Sequence, residues 1–76
     1  KSLSAGWGGD GRVRLGDAME ETEEAVMQVI EGGPSVELFP QSSYIRRLQH
    51  QLAERYNLGS ASMGREPQRR VVIFQP

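Results

Sequence analysis

The chain contains a single histidine, His50, within the short stretch YIRRLQH that runs from Tyr44. An imidazole can act as a general base, a metal ligand or a hydrogen-bonding group near neutral pH. Arginine instead binds carboxylate and phosphate oxygens through its planar guanidinium. Arg46 and His50 are four residues apart, so on a helix they would lie on the same side. This spacing makes them a candidate functional pair.

Four chemical roles for His50 follow from the residue type. Nucleophilic catalysis needs an activated nucleophile and an orienting group, and the chain has no nucleophile motif. A metal site needs three or four ligands, but there is one histidine and no cysteine. The other two roles are a hydrogen bond that fixes the helix to the next strand, and a shared phosphate contact with Arg46. Both can hold at once, so these two stay open. We expect a binding module with no enzyme activity, metal or cofactor.

The pair is expected on a helix that is capped by Ser42 or Ser43 and runs to about Tyr56. Six residues share one arc of this helix and are predicted to pack in the core: Ile45, Leu48, Gln49, Leu52, Ala53 and Tyr56. Arg46 and His50 lie just beyond one edge of the arc. The sequence therefore predicts a partly accessible pair at the rim of the core.

The other elements surround this helix. Residues 17–31 have the apolar period of a first helix, with Asp17 as the expected N-cap and Gly32 after its end. Strands are predicted at residues 35–39, 58–64 and 69–74, the last two forming an antiparallel hairpin. The order helix-strand-helix-strand-strand predicts an α+β two-layer sandwich, with two helices packed on one face of a three-stranded sheet.

Residues 1–16 contain five glycines without an apolar period and are interpreted as a flexible linker, which leaves residues 17–76 as the domain. The first residue is Lys1, so we expect a piece of a larger protein. No apolar run approaches the roughly 20 residues that a membrane span needs. The absence of cysteine fits a reducing compartment. We expect an intracellular protein without membrane contact, and a monomer when the domain is isolated.

Charge is divided unevenly along the chain. Residues 1–34 carry three cationic and seven acidic side chains, a net charge of −4, and residues 35–76 carry six and three, a net charge of +3. All six cations of the second part are arginines. This distribution favours an anionic partner for the second part. The alternative, that these arginines only keep the surface soluble, stays open.

The segment YIRRLQHQLAERYNLGSASMGREPQRRVVIF resembles a domain family named for its Arg-x-x-x-His signature (R-three-H), here Arg46-Arg47-Leu48-Gln49-His50. ELFPQSSY, before the helix, also looks like the family's strand, proline and polar cap, so the resemblance covers residues 31–74. It implies a three-stranded sheet with two helices on one face. It also implies binding of single-stranded RNA or DNA by a module that is appended to ATPases, helicases or other nucleic-acid-handling proteins.

The resemblance assigns this binding to Arg46 and His50, with Arg69 or Arg70 at a position that is often basic in the family. The predicted nucleic-acid-binding residues are Tyr44, Arg46, Arg47, His50, Arg69 and Arg70. With few aromatic side chains for base stacking, we expect weak, salt-sensitive contacts to the sugar-phosphate backbone. A second hypothesis is a module that docks an acidic protein segment on the same arginines.

Overall fold

The computed structural model describes residues 14–76, and its elements follow the predicted order. They are α1 (Leu15–Ile30), β1 (Val36–Glu37), α2 (Ser43–Arg55), β2 (Gly59–Met63) and β3 (Arg70–Phe74). The strands form one antiparallel sheet in the order β1-β3-β2. The predicted α+β class and the closing hairpin are therefore confirmed. No helix in this part of the chain is both long and apolar enough to cross a membrane.

Helix α1 begins two residues earlier than predicted. Its N-cap is Arg14, which makes no side-chain cap, and the Ala18 amide already donates to the Arg14 carbonyl at 3.0 Å. The prediction of Asp17 as N-cap is wrong, because helical hydrogen bonding includes the two residues before it. Asp17 lies within the first turn, where its carboxylate still stabilises the amide end of the helix. Residues 1–13 of the predicted linker lie outside the described residues.

The residues predicted to begin and end α2 do so in the structure. The Ser42 hydroxyl accepts from the Ile45 amide at 3.3 Å and caps the helix. At the other end Asn57 adopts a left-handed φ of 59°, and the Leu58 amide donates to the Ala53 carbonyl at 3.0 Å. This turn brings the Leu58 side chain back against the core. Short-range signals thus set the length of the helix that carries Arg46 and His50.

The core lies between the helices and one face of the sheet. Its buried members are Ala25, Val26, Val29, Leu38, Ala53, Val71 and Ile73. Because side chains alternate along a strand, Arg70 and Phe74 point to the other face. Ser60 and Ser62 pair directly with Ile73 and Val71, so they share the helix-facing side.

Helix α2 buries only part of the predicted arc, together with Arg46. Its buried residues are Arg46, Gln49 and Ala53. Ile45, Leu48 and Leu52 are half-buried, and the prediction of Tyr56 in the core is wrong, since it is 44% exposed. The cause is the packing partner: Gln49 Nε2 donates to Thr22 Oγ1 of α1 at 3.1 Å, which centres the buried stripe on Gln49.

Candidate functional site

Arg46 joins the start of α2 to the loop between β2 and β3, residues 64–69, here called the hairpin loop. Its Nη1 donates to the Gln41 carbonyl at 2.6 Å, and its Nη2 donates to Glu66 Oε2 at 2.9 Å. The Arg46 side chain is only 9% exposed, whereas that of Glu66 is 62% exposed. Arg46 is therefore buried more deeply than a rim position, and its guanidinium already holds one carboxylate.

His50 lies one turn further along α2 and contacts two serines of β2. Its Nδ1 is 2.7 Å from Ser60 Oγ, and its Nε2 is 2.8 Å from Ser62 Oγ. A neutral imidazole donates from one nitrogen and accepts at the other, so one serine accepts while the other donates its hydroxyl proton. Both ring nitrogens are thus occupied by the protein. The predicted hydrogen bond that fixes α2 to β2 is therefore present, and His50 makes two such bonds.

The surroundings of His50 keep its ring neutral. Burial, and to a smaller extent the nearby Arg46 guanidinium, lower the pKa of His50 below its usual value of 6.5. At neutral pH the ring therefore carries no charge. Its contribution near pH 7 is a hydrogen-bonded bridge between α2 and β2, not a positive charge for a phosphate.

Because the pKa of His50 differs between the folded and unfolded chain, the free energy of unfolding should depend on pH. Because the folded-state pKa lies below 6.5, the unfolded chain takes up the proton first as pH falls. The stability contributed by His50 is complete above pH 6.5 and is lost as pH falls through the folded-state pKa. Urea unfolding of the wild type and of His50→Gln, each at several pH values between neutral and mildly acidic, measures this loss. The variant should show a flatter profile, and identical profiles would contradict the assignment.

The remaining predicted residues of α2 are at the surface. Tyr44 is 61% exposed and Arg47 is exposed as well, so both can contact a ligand without any rearrangement. Arg65 in the hairpin loop is also exposed and precedes Glu66 in the chain. Sequence reasoning missed Arg65 as a contributor to this surface. The Glu66 contact to Arg46, across 20 positions of the chain, shows that the loop lies against α2.

The two arginines expected on the last strand lie in different elements, Arg69 in the hairpin loop and Arg70 in β3. Arg69 Nη1 donates to the Gly64 carbonyl at 2.8 Å and closes the hairpin loop. Arg70 Nε donates to Glu37 Oε1 of β1 at 3.1 Å, on the sheet face away from the helices. The structure thus places Arg69 in the loop that contacts Arg46, and it does not bring Arg70 together with the α2 residues.

Three further residues of the site were missed from the sequence. Glu66, Ser60 and Ser62 are the partners of Arg46 and His50. The alternation of serines in GSASM was the available signal, since residues two apart in a strand face the same side. Among residues 14–76, no three His, Cys, Asp or Glu side chains are grouped so that they could hold a metal ion.

Comparison with known proteins gives the same family as the sequence signature. The family model of the R-three-H domain matches residues 17–75. A relative from Porphyra purpurea, named "Uncharacterized protein ycf45", is 40% identical over 58 residues, which cover 75% of this chain. The chain spans about a tenth of the length of that relative (10%). No solved structure matches the chain.

Proposed function

The chain belongs to the R-three-H domain family, whose members are in general nucleic-acid-binding and not catalytic modules, and we propose that it binds single-stranded RNA or DNA through sugar-phosphate contacts. The binding surface consists of the first two turns of α2 and the hairpin loop. In this proposal Tyr44 stacks on a base, and phosphate contacts come from Arg46, Arg47 and the loop arginines. His50 holds α2 against β2 and so positions these groups.

One observation carries this proposal: the Arg46–Glu66 contact brings two exposed arginines to the same region. Arg47 follows Arg46 in the chain and Arg65 precedes Glu66, so each lies within one residue of the 2.9 Å contact. Several guanidinium groups on the two elements that this contact joins suit a polyanion, since each can bind phosphate oxygens. Arg70 pairs with Glu37 on the other sheet face, and its Nη1 also donates to the Gln68 carbonyl of the hairpin loop at 3.2 Å.

The surface is small, which limits its affinity. We therefore place the domain within a larger nucleic-acid-handling protein inside the cell, such as an ATPase or helicase, as a monomeric module. The other domains of that protein would supply chemistry and most of the sequence preference. The length of the Porphyra purpurea relative, of which this chain covers 10%, is consistent with such an arrangement.

Salt dependence tests the proposal. Contacts to phosphates release counterions, with a slope of about −0.7 per contact for single strands, so three contacts should weaken binding about 20-fold between roughly 50 and 200 mM salt. Fluorescence anisotropy with labelled oligothymidine and oligouridine measures this, and a chemical-shift titration maps the face. A duplex of matching length is the control and should bind more weakly. Absence of binding to both single strands at the lower salt concentration would refute the proposal.

A second candidate function is favoured by the same ion pair. Arg46 already binds a carboxylate in the folded protein, so an acidic protein segment could use the same guanidinium. Competition separates the two functions. If an oligoglutamate peptide binds while neither single-stranded oligonucleotide does, the domain is a protein-docking module.

A further inference from the structure

Glu66 is the one acidic side chain that contacts a predicted binding residue of α2 within the described part of the chain. Its Oε2 accepts from Arg46 Nη2 at 2.9 Å, and it belongs to a loop whose residues 64–68 are all exposed. A carboxylate and a phosphate use the same guanidinium donors with similar geometry. The position that Glu66 occupies on Arg46 is therefore one that a backbone phosphate could take.

Two anions cannot share this position without repulsion. A phosphate that approached Arg46 Nη2 while Glu66 remained there would place two negative charges in contact, which raises the energy of the bound state. Because Glu66 is 62% exposed, its carboxylate can move into water at little cost. Arg46 stays in place when it does so, since Nη1 remains bonded to the Gln41 carbonyl at 2.6 Å.

Gln41 provides a second observation at this place. Its side-chain Nε2 is buried and has no hydrogen-bond partner among the described residues. An amide donor buried in this way costs free energy unless an acceptor reaches it. The same residue holds Arg46 through its carbonyl oxygen. Gln41 therefore supports Arg46 through its carbonyl oxygen and also carries a polar group that the described residues leave unsatisfied.

We propose that Glu66 occupies the phosphate position on Arg46 in the free protein and competes with nucleic acid for it. This inference rests on the proposed function and adds a specific mechanism to it: binding exchanges the Glu66 carboxylate for a backbone phosphate. The ion pair has two effects. It orders the hairpin loop in the absence of ligand, and it lowers the affinity by the stability of the pair.

Substitution of Glu66 should therefore strengthen binding. Because the Glu66 carboxylate is 62% exposed, we take the range of about 0.2–1 kcal/mol for solvent-exposed ion pairs, so Glu66→Gln should bind labelled oligothymidine about 1.4- to 5-fold more tightly than a charge-matched control. The control is Glu54→Gln: Glu54 is exposed on α2 two turns beyond Arg46, and its side chain makes no hydrogen bond or ion pair within residues 14–76. Comparing these two variants removes the general effect of one lost negative charge.

A second variant keeps the charge constant. In Glu66→Asp the carboxylate is one methylene shorter and reaches Arg46 less well, so this variant should bind more tightly than the wild type at equal net charge. Circular dichroism of each variant confirms folding, and the exposed position of Glu66 makes both substitutions tolerable. In an Arg46→Met background, Glu66→Gln should no longer differ from Glu54→Gln.

The outcomes separate the two levels of inference. Competition by Glu66 is refuted if Glu66→Gln binds no more tightly than Glu54→Gln and Glu66→Asp has the affinity of the wild type. The proposed function still stands in that case, provided that the wild type binds with the expected salt dependence. If no variant binds either single-stranded oligonucleotide, both fail together. Tighter binding by both Glu66 variants, lost in the Arg46→Met background, supports the exchange.

Discussion

Arg46→Met should weaken binding of single-stranded oligonucleotide by about 10- to 100-fold, because a hydrogen bond to a charged group contributes about 1.5–3 kcal/mol. Methionine keeps an unbranched chain in the buried space that the arginine stem occupies, but it provides no donor. The two groups that lose a partner are the Gln41 carbonyl and the Glu66 carboxylate. Since Glu66 is 62% exposed, water can replace the guanidinium there. The variant should therefore remain folded.

The matched control for this substitution is Arg55→Met. Arg55 is exposed in the last turn of α2, at the end opposite to the hairpin-loop contact, and it is outside the predicted interface. Both variants lose one positive charge, so a general electrostatic effect would weaken them equally. Fluorescence anisotropy at a single low salt concentration compares them. Equal losses would show that Arg46 contributes only general electrostatic attraction and makes no specific contact with the nucleic acid.

Leu38→Ala should lower the free energy of unfolding by about 2–5 kcal/mol, the range for removing a buried leucine side chain. Leu38 is 2% exposed and lies in the core cluster, where its amide also donates to the Val71 carbonyl of β3 at 2.8 Å. A domain of about 60 residues has a total stability of only roughly 3–9 kcal/mol. The substitution should therefore remove a large part of the total stability.

Phe39→Ala is the control for Leu38→Ala. The phenyl ring is larger than the leucine side chain, but Phe39 is 58% exposed, so its removal opens no buried cavity. The free energy of unfolding should change by about 0.5 kcal/mol or less. Urea denaturation followed by circular dichroism measures both variants. If Phe39→Ala were as destabilising as Leu38→Ala, the assignment of the core to the helix-facing side would be wrong.

The element order and most boundaries could be predicted because their signals are local. The Ser42 cap, the left-handed Asn57 and the β-branched residues of β3 each depend on neighbours a few positions away. The start of α1 was the exception. Asp17 is a good cap residue, but the helix begins two residues before it, at Leu15, and Arg14 is at the cap position. A residue with strong cap preference also suits the first turn, so residue type alone does not separate the two.

The buried side of α2 was predicted only in part. Gln49 and Ala53 are buried as expected. Tyr56 is exposed, and Arg46 is buried although it was not predicted to be. The predicted core face was chosen as the side of the helical wheel where apolar residues cluster. Arg46 lies beyond the edge of that cluster and was therefore not expected in the core. The burial of Arg46 is possible because its polar atoms find the Gln41 carbonyl and Glu66, and the sequence alone shows neither contact.

Periodicity, capping and motif act over a few residues, so the α+β class, the helix that carries Arg46 and His50, their common side one turn apart and the family could all be predicted from the amino-acid sequence. The contacts of the pair could not. Two serines 10 and 12 positions away bind His50, and a glutamate 20 positions away binds Arg46. Such contacts depend on how the strands and the hairpin loop pack against α2. Packing over that distance is a property of the whole fold, so it could not be found in any short stretch of the chain.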